Sequence, residues 1–227
     1  DKDTQAYIGA NTTLNARGNS SATTSVPSGE ADVSGSSQDE EGNYYFEDIH
    51  GLSIQAYSVE DVFAVAASGN FSGGSIAGAV TVELIDADTL AYIGPLAIIN
   101  GSNSGASSNQ RINISARDDV DVFVVAGVLV VGNGITGGVD VGIIQNDTSA
   151  LIANGADVQA KLDIDINAIS DKDVESYAVS VAIGQVGIAG AVDVWSIGGN
   201  LDSDSIDSLQ AKDEDDDEDP DYGSIYE

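Results

Sequence analysis

The chain has no cysteine and no methionine, one histidine (His50), one tryptophan (Trp195), three prolines and only 7 Lys+Arg among 227 residues. The missing cysteine excludes a disulfide framework and thiol chemistry. A single imidazole leaves little material for acid–base or nucleophilic catalysis. A triad on His50 has no Gly-x-Ser-x-Gly elbow to serve it. The scattered bases (Lys2, Arg17, Arg111, Arg117, Lys161, Lys172, Lys212) form no patch for nucleic acid or acidic sugar, and no glycine loop leads into a P-loop lysine. No apolar run is long enough for a membrane span. The longest, Val122 to Val131, reads as a buried strand.

Against these absences stand 38 Asp+Glu, a formal charge of −31, 26 glycines and 42% hydrophobic residues, mostly Ala, Val and Ile. The aliphatic content is enough for a packed core and sets the chain apart from disordered sequences. The charge repels phosphates and anionic lipid, attracts cations, and destabilises the folded state by self-repulsion unless screened.

Internal repetition is the strongest signal. One landmark occurs at Asp3-Thr4-Gln5-Ala6-Tyr7-Ile8-Gly9, Asp88-Thr89-Leu90-Ala91-Tyr92-Ile93-Gly94 and Asp147-Thr148-Ser149-Ala150-Leu151-Ile152-Ala153. Each is followed by a short stretch ending in Ala: Thr13 to Ala16, Ile112 to Ala116, and Asp157 to Ala160. A second landmark is Asp61-Val62, Asp121-Val122 and Asp173-Val174. A third is Ile76 to Val80, Ile135 to Val139 and Ile188 to Val192. These divide residues 1–212 into about three repeats, 3–87, 88–146 and 147–199, in a single elongated domain. An insertion at 18–48 reads as a surface loop or disordered excursion. A smaller one spans Gly101 to Gln110. Residues 213–227 read as an acidic tail or the start of a further insertion.

Period-two alternation, as in Leu162 to Ile169, dominates and no capped stripe of period 3.6 occurs, so the chain reads as all-β. In Tyr177, Val179, Val181 and Ile183 the large residues are expected to point inward, with Ala178, Ser180 and Ala182 against a neighbour. Asn15, Asn113 and Asn167 are expected at strand ends, in left-handed turns or in a ladder. Units this short bury their faces by stacking, which predicts a β-solenoid. A tandem β-sandwich is the alternative. The first landmark opens the sequence, and Ser208 to Lys212 echoes Leu14 to Arg17. This predicts a piece of a longer array, or subunits that associate end to end.

The order Asp-Thr-x-Ala-Tyr-Ile-Gly, Val/Leu-x-Ala, Asp-Val, Ile-Ala-Gly-Ala-Val resembles repeats of very large bacterial surface proteins related to filamentous haemagglutinins. The resemblance covers most of 1–16, 52–100 and 111–200. It implies an extracellular, right-handed parallel β-helix used for adhesion or matrix building. The implied partners are neighbouring repeats, glycans or cell surfaces. The fourth copy departs from the pattern, with Asn200-Leu201 replacing Asp-Thr.

Acidic pairs at the repeat junctions, Asp86 with Asp88 and Asp202 with Asp204, are the candidate ligands for Ca2+, although no EF-hand loop or Gly-Gly-x-Gly-x-Asp repeat is present. Six Asn-x-Ser/Thr sequons are candidate glycosylation sites: Asn11, Asn19, Asn70, Asn100, Asn113 and Asn146. Tyr44-Tyr45-Phe46 either anchors the insertion or stacks on sugars, which keeps a carbohydrate-binding or carbohydrate-cleaving β-helix as the alternative function. Ice binding is not supported, because flat ranks of Thr are missing.

Overall fold

A computed structural model describes residues 2–31, 37–39, 42–71 and 73–198. The described residues are all-β, with no helix. In chain order the strands are β1 (Lys2–Ile8), β2 (Thr13–Leu14), β3 (Thr24–Pro27), β4 (Phe46–Asn70), β5 (Ser75–Ile93), β6 (Ile98–Ile99), β7 (Gln110–Val131), β8 (Gly134–Ile152), β9 (Asp157–Val158), β10 (Ile164–Ile183) and β11 (Gly187–Ile197).

Three sheets share this material. One has the order β1-β5-β8-β11, the second β10-β7-β4-β3, and a narrow third β2-β6-β9. All pairings are parallel except β3 on β4. One sheet curls into a half-barrel. The chain runs out along β4, returns along β5, crosses through β6, and begins again at β7. Each circuit therefore lays its strands beside the equivalent strands of the previous one.

The register places the sequence landmarks side by side. Asp3, Asp88 and Asp147 stand in one row, and Tyr7, Tyr92 and Leu151 in another. Asp61, Asp121 and Asp173 form a third, with Val62, Val122 and Val174 beside it. Ile76, Ile135 and Ile188 form a fourth. Like side chains stack as a result: Tyr7 on Tyr92 at 5.1 Å and Phe63 on Phe123 at 5.6 Å between ring centroids. Such pairs add roughly 0.5–1.5 kcal/mol beyond their buried area.

One alignment changes. Thr13-Leu14 pairs with Ile98-Ile99, which pairs with Asp157-Val158. Ile112 to Ala116 instead belongs to a long strand, beside Leu52 to Ala56 and Ile164 to Ala168. Both stretches end in an apolar-x-Ala pattern and lie at one corner, where Ala116 and Ala160 join the same apolar cluster. The links that vary in length are therefore 15–45, 100–109 and 159–163, all at that corner. The longest is not wholly a loop: β3 pairs with β4, and Val26 and Pro27 are buried.

Alternation in β7 sends Ile112, Ile114, Ala116, Val120, Val122 and Val124 into the space between the large sheets, each at most 1% exposed. Two apolar clusters result. One gathers Ile54, Ile93, Ile99, Ile112 and Ile114 near the corner; the other gathers Ile85, Val120, Val122, Val124 and Ile144 farther out. Each fully buried Val or Ile contributes about 1.5–3 kcal/mol. Towards the turns that follow β4, β7 and β10 the inner residues are mostly Ala, Gly, Ser and Thr, except in β7, where Val128 and Val130 stay buried. Most large ones point out: Phe63 is 73% and Ile76 81% exposed. This reverses the expectation for β10. Tyr177, Val179, Val181 and Ile183 are exposed, and Ala178, Ser180 and Ala182 face the other sheet. Gly138 shows the cause: a Cβ there would lie 3.0 Å from Ala126 O and 3.1 Å from Val179 O, so the sheets are too close for bulk.

Candidate functional site

The insertion is fixed to the outer wall of the β4-β7-β10 sheet. Pro27 O, at the end of β3, accepts hydrogen bonds from Asn113 Nδ2 (3.3 Å) and Asn167 Nδ2 (3.2 Å). The Arg117 guanidinium lies over the rings of Tyr57 (3.6 Å) and Tyr44 (4.2 Å), with Phe46 at 5.8 Å. Tyr44 and Phe46 thus anchor the segment through cation–π contact, worth about 0.5–2 kcal/mol per good pair. Burial pushes the Tyr44 hydroxyl up to about 12. Arg111 ion-pairs with Glu47 and, at 2.8 Å, with Asp163, tying the start of β4 to the last corner link. Beneath the anchor lies a cleft of about 210 Å3 lined by Pro27, Phe46, Gln55, Ala56, Tyr57, Ser115 and Arg117.

His50 stands in β4 where the insertion ends, with Nδ1 3.1 Å from Ser20 O. Its contact is with backbone. Asn113 and Asn167 do not form a ladder. Asn113 is in register with Ser53 and Asp165, and Asn167 with Ser115. Among the described residues, the left-handed asparagines are Asn11 (φ 56) and Asn100 (φ 58). Asn100 is the one that links circuits: its Oδ1 accepts from Ala16 N (2.7 Å) and its Nδ2 donates to Gln159 O (2.9 Å).

Among the sequons, Asn100 and Asn113 are buried and Asn146 is half-buried, with its Nδ2 given to Asp118 Oδ2 at 2.7 Å. A glycan at these three would have to displace those contacts. Asn11 and Asn19 are exposed, and Asn19 donates to Gly105 O. Asn70 ends β4, half-buried.

Asp86 and Asp88 both lie on the exposed outer face of β5, beside Gln145 and Asp147. Burial, and repulsion from Asp147, Asp3 and Asp86, raise the Asp88 carboxyl above its ordinary value. Asp202 and Asp204 lie outside the described residues, as do the fourth repeat and the acidic tail. Among the described residues, no group of three or more His, Asp or Glu side chains is placed to hold a metal ion.

Inside the molecule the sequence reading had missed two carboxyl pairs. Asp118 and Glu60 stand near one another between the sheets, and the Glu60 carboxylate helps to raise the Asp118 carboxyl. Glu60 accepts from Lys2 Nζ (2.7 Å) and Ser58 Oγ (2.8 Å), and Lys172 Nζ stands 3.8 Å from Asp118. Burial raises Asp118. In Glu60 the bonds from Lys2 and Ser58 outweigh burial, and its carboxyl is lowered. Farther out, Asp140 is fully buried and accepts from Thr81 Oγ1 (2.6 Å), Trp195 Nε1 (2.8 Å) and the Ser176 hydroxyl. These donors outweigh burial and keep Asp140 ionised, while burial and the neighbouring Asp140 push Glu83 up to about 7. Trp195 reaches Asp140 by packing flat over Gly142, where a Cβ would sit 2.3 Å from the indole.

No family model, no curated protein and no solved structure matches the chain. No helix among the described residues is long and apolar enough to cross a membrane.

Proposed function

We propose that this chain is a structural or adhesive module of an extracellular surface protein or filament, folded as a right-handed parallel β-solenoid and without catalytic activity. The observation that carries the reading is the unbroken register of the three landmark motifs across successive circuits. A chain that repeats its side chains row by row builds length and surface and concentrates no chemistry at one point. Right-handedness follows from the strong preference of parallel crossovers. The resemblance to repeats of large bacterial surface proteins related to filamentous haemagglutinins supports an extracellular setting, as does the acidic outer surface. Electron microscopy of native material is expected to show elongated rods or fibres. A compact monomer at every salt concentration would overturn the reading.

The cleft under the insertion favours a second reading, in which the module binds carbohydrate. Tyr57, Phe46 and Arg117 offer ring faces and donors beside an open groove. A glycan array separates the two readings: selective binding lost in Tyr57→Ala supports a lectin-like role, and no binding leaves the cleft as an anchor.

A further inference from the structure

We propose that the Lys172 amine and the Asp118 carboxyl join in a covalent amide bond, formed by the folded chain on itself, that staples β10 to β7. The bond goes beyond the scaffold reading above and needs only the adjacency of these two strands.

Asp118 is fully buried on the inner face of β7, between Ala116 and Val120, which are at most 1% exposed. On β10, Ser170 is in register with Asp118 and Lys172 with Val120. Lys172 Nζ donates to Ser170 Oγ and stands 3.8 Å from Asp118 Oδ2. The Lys172 side chain is 17% exposed and the Asp118 side chain 0%. An amine and a carboxyl group are thus held side by side where little water reaches. Their spacing is close to the roughly 3–3.5 Å at which reacting atoms meet.

Two further groups complete the arrangement. Asn146 Nδ2 donates to Asp118 Oδ2 at 2.7 Å and polarises the carbonyl, while the buried Oδ1 receives no hydrogen bond. Glu60 lies on β4, on the other side of β7, also in register with Val120. Its Oε1 is taken by Lys2 Nζ (2.7 Å) and Ser58 Oγ (2.8 Å), and its buried Oε2 receives no hydrogen bond. In the unlinked chain, burial and Glu60 raise Asp118, which favours the neutral, electrophilic acid. Against burial, Lys2 and Ser58 lower Glu60 and keep it a carboxylate. Two neighbouring carboxyls pushed apart in this way divide the roles of acid and base.

The step balances without oxidant or cofactor. Proton transfer within the Lys172–Asp118 pair leaves a neutral amine beside a neutral acid. The Nζ lone pair adds to Cγ, and the carbonyl electron pair moves onto Oδ2, where Asn146 Nδ2 meets it. Glu60 takes a proton from the nitrogen and returns it to the Oδ1 hydroxyl, which leaves as water. One C–N bond forms, one C–O bond breaks, and Glu60 ends as it began. The reaction runs once per chain, so its product is a cross-linked scaffold. Lys2 is nearer to Glu60, but its side chain is 46% exposed and Glu60 is held ionised, so that pair stays an ion pair.

The intact mass of the full chain tests the bond. Denatured protein is expected about 18 Da below its sequence mass, the loss of one water. Trypsin should then fail to cut after Lys172 and should release 118–161 joined to 162–212. Lys172→Arg should keep the full sequence mass. Glu60→Gln should slow linkage by about a hundredfold or more with unchanged circular dichroism, and Glu60→Asp should recover part of it. Lys2→Arg should still link. A full sequence mass in the folded wild-type chain would overturn the bond, as would a linked peptide containing Lys2. A loss of about 17 Da would overturn it as well, since ammonia leaving would place the junction at an amide such as Asn146. Linkage in Glu60→Gln at the wild-type rate would remove Glu60 from the step and sink the arrangement proposed.

Discussion

The half of the molecule near the corner and the half near the turns are built on opposite rules. Near the corner, isoleucines fill the interior and Asp, Asn, Ser and Arg face out. Near the turns, a narrow interior is lined mostly by Ala, Gly, Ser and Thr around the buried valines of β7, while most Val, Ile, Leu and Phe of the other strands stand outside. The contrast shows in the charges as well. Residues 62–82, 122–139 and 176–192 contain no charged residue at all, in a chain with 38 acids. In both halves the parallel ladder fixes the register. What differs is where the apolar area goes: the corner half is stabilised by its own core, and the outer half holds apolar area in reserve on its surface.

The largest expected effect separates inside from outside in the outer half. Val124 is fully buried, and Val124→Asp should cost about 4 kcal/mol or more and abolish the cooperative unfolding transition. Val82→Asp, on the outer face of the same half, should change stability by about 0.5 kcal/mol or less and reduce binding of a hydrophobic dye. Chemical denaturation of the two variants checks both. Equal destabilisation would show that the outer row is covered in solution.

The next effect is on pH dependence. Glu83 has a raised carboxyl, so the folded state binds more protons than the unfolded state between the ordinary value of 4.5 and about 7. Stability should therefore fall as pH rises through that window and level off above it. Asp88, Asp118, Asp119 and Asp165 are shifted in the same direction, chiefly by burial. Melting temperature measured from pH 4.5 to 8 should decline, and Glu83→Gln should flatten much of the slope. A curve that rises towards pH 8 would refute the raised Glu83 carboxyl.

Smaller again is the anchor of the insertion. Arg117→Ala removes the guanidinium between Tyr44 and Tyr57 and should cost about 1–2 kcal/mol. Proteolysis within residues 18–48 should become faster while the strands stay protected. Smallest is Asp88→Asn, which relieves repulsion in the Asp3-Asp88-Asp147 row. It should raise the melting temperature slightly at low ionic strength and have no effect at high salt.

Much of this plan was legible in the residues. Asp-Val and Ile-Ala-Gly-Ala-Val recur because equivalent positions in neighbouring circuits meet the same surroundings, and the register confirms their phase. Alternation located the strands but left the side unsettled, since period two marks two faces without saying which is inner. The sizes at Tyr177 and Val179 suggested inward, and the narrow spacing at Gly138 decided otherwise. The uncharged windows would have shown that an unusual surface was coming. Asp118 and Asp140 were hidden for a different reason. Among so many acids, a buried one has no local signature, and only the donors from Asn146, Thr81 and Trp195, distant in sequence, mark it out.

The three corner links at 15–45, 100–109 and 159–163 differ widely in length, yet the sheets on either side keep their register. Chain closure costs rise only slowly with length, so this corner tolerates additions that the ladders do not see. The corner can therefore change in length while the ladders on either side stay in register. A peptide grafted between Lys161 and Leu162 should be carried on the same rail as the natural insertion, at one strand spacing from its neighbour.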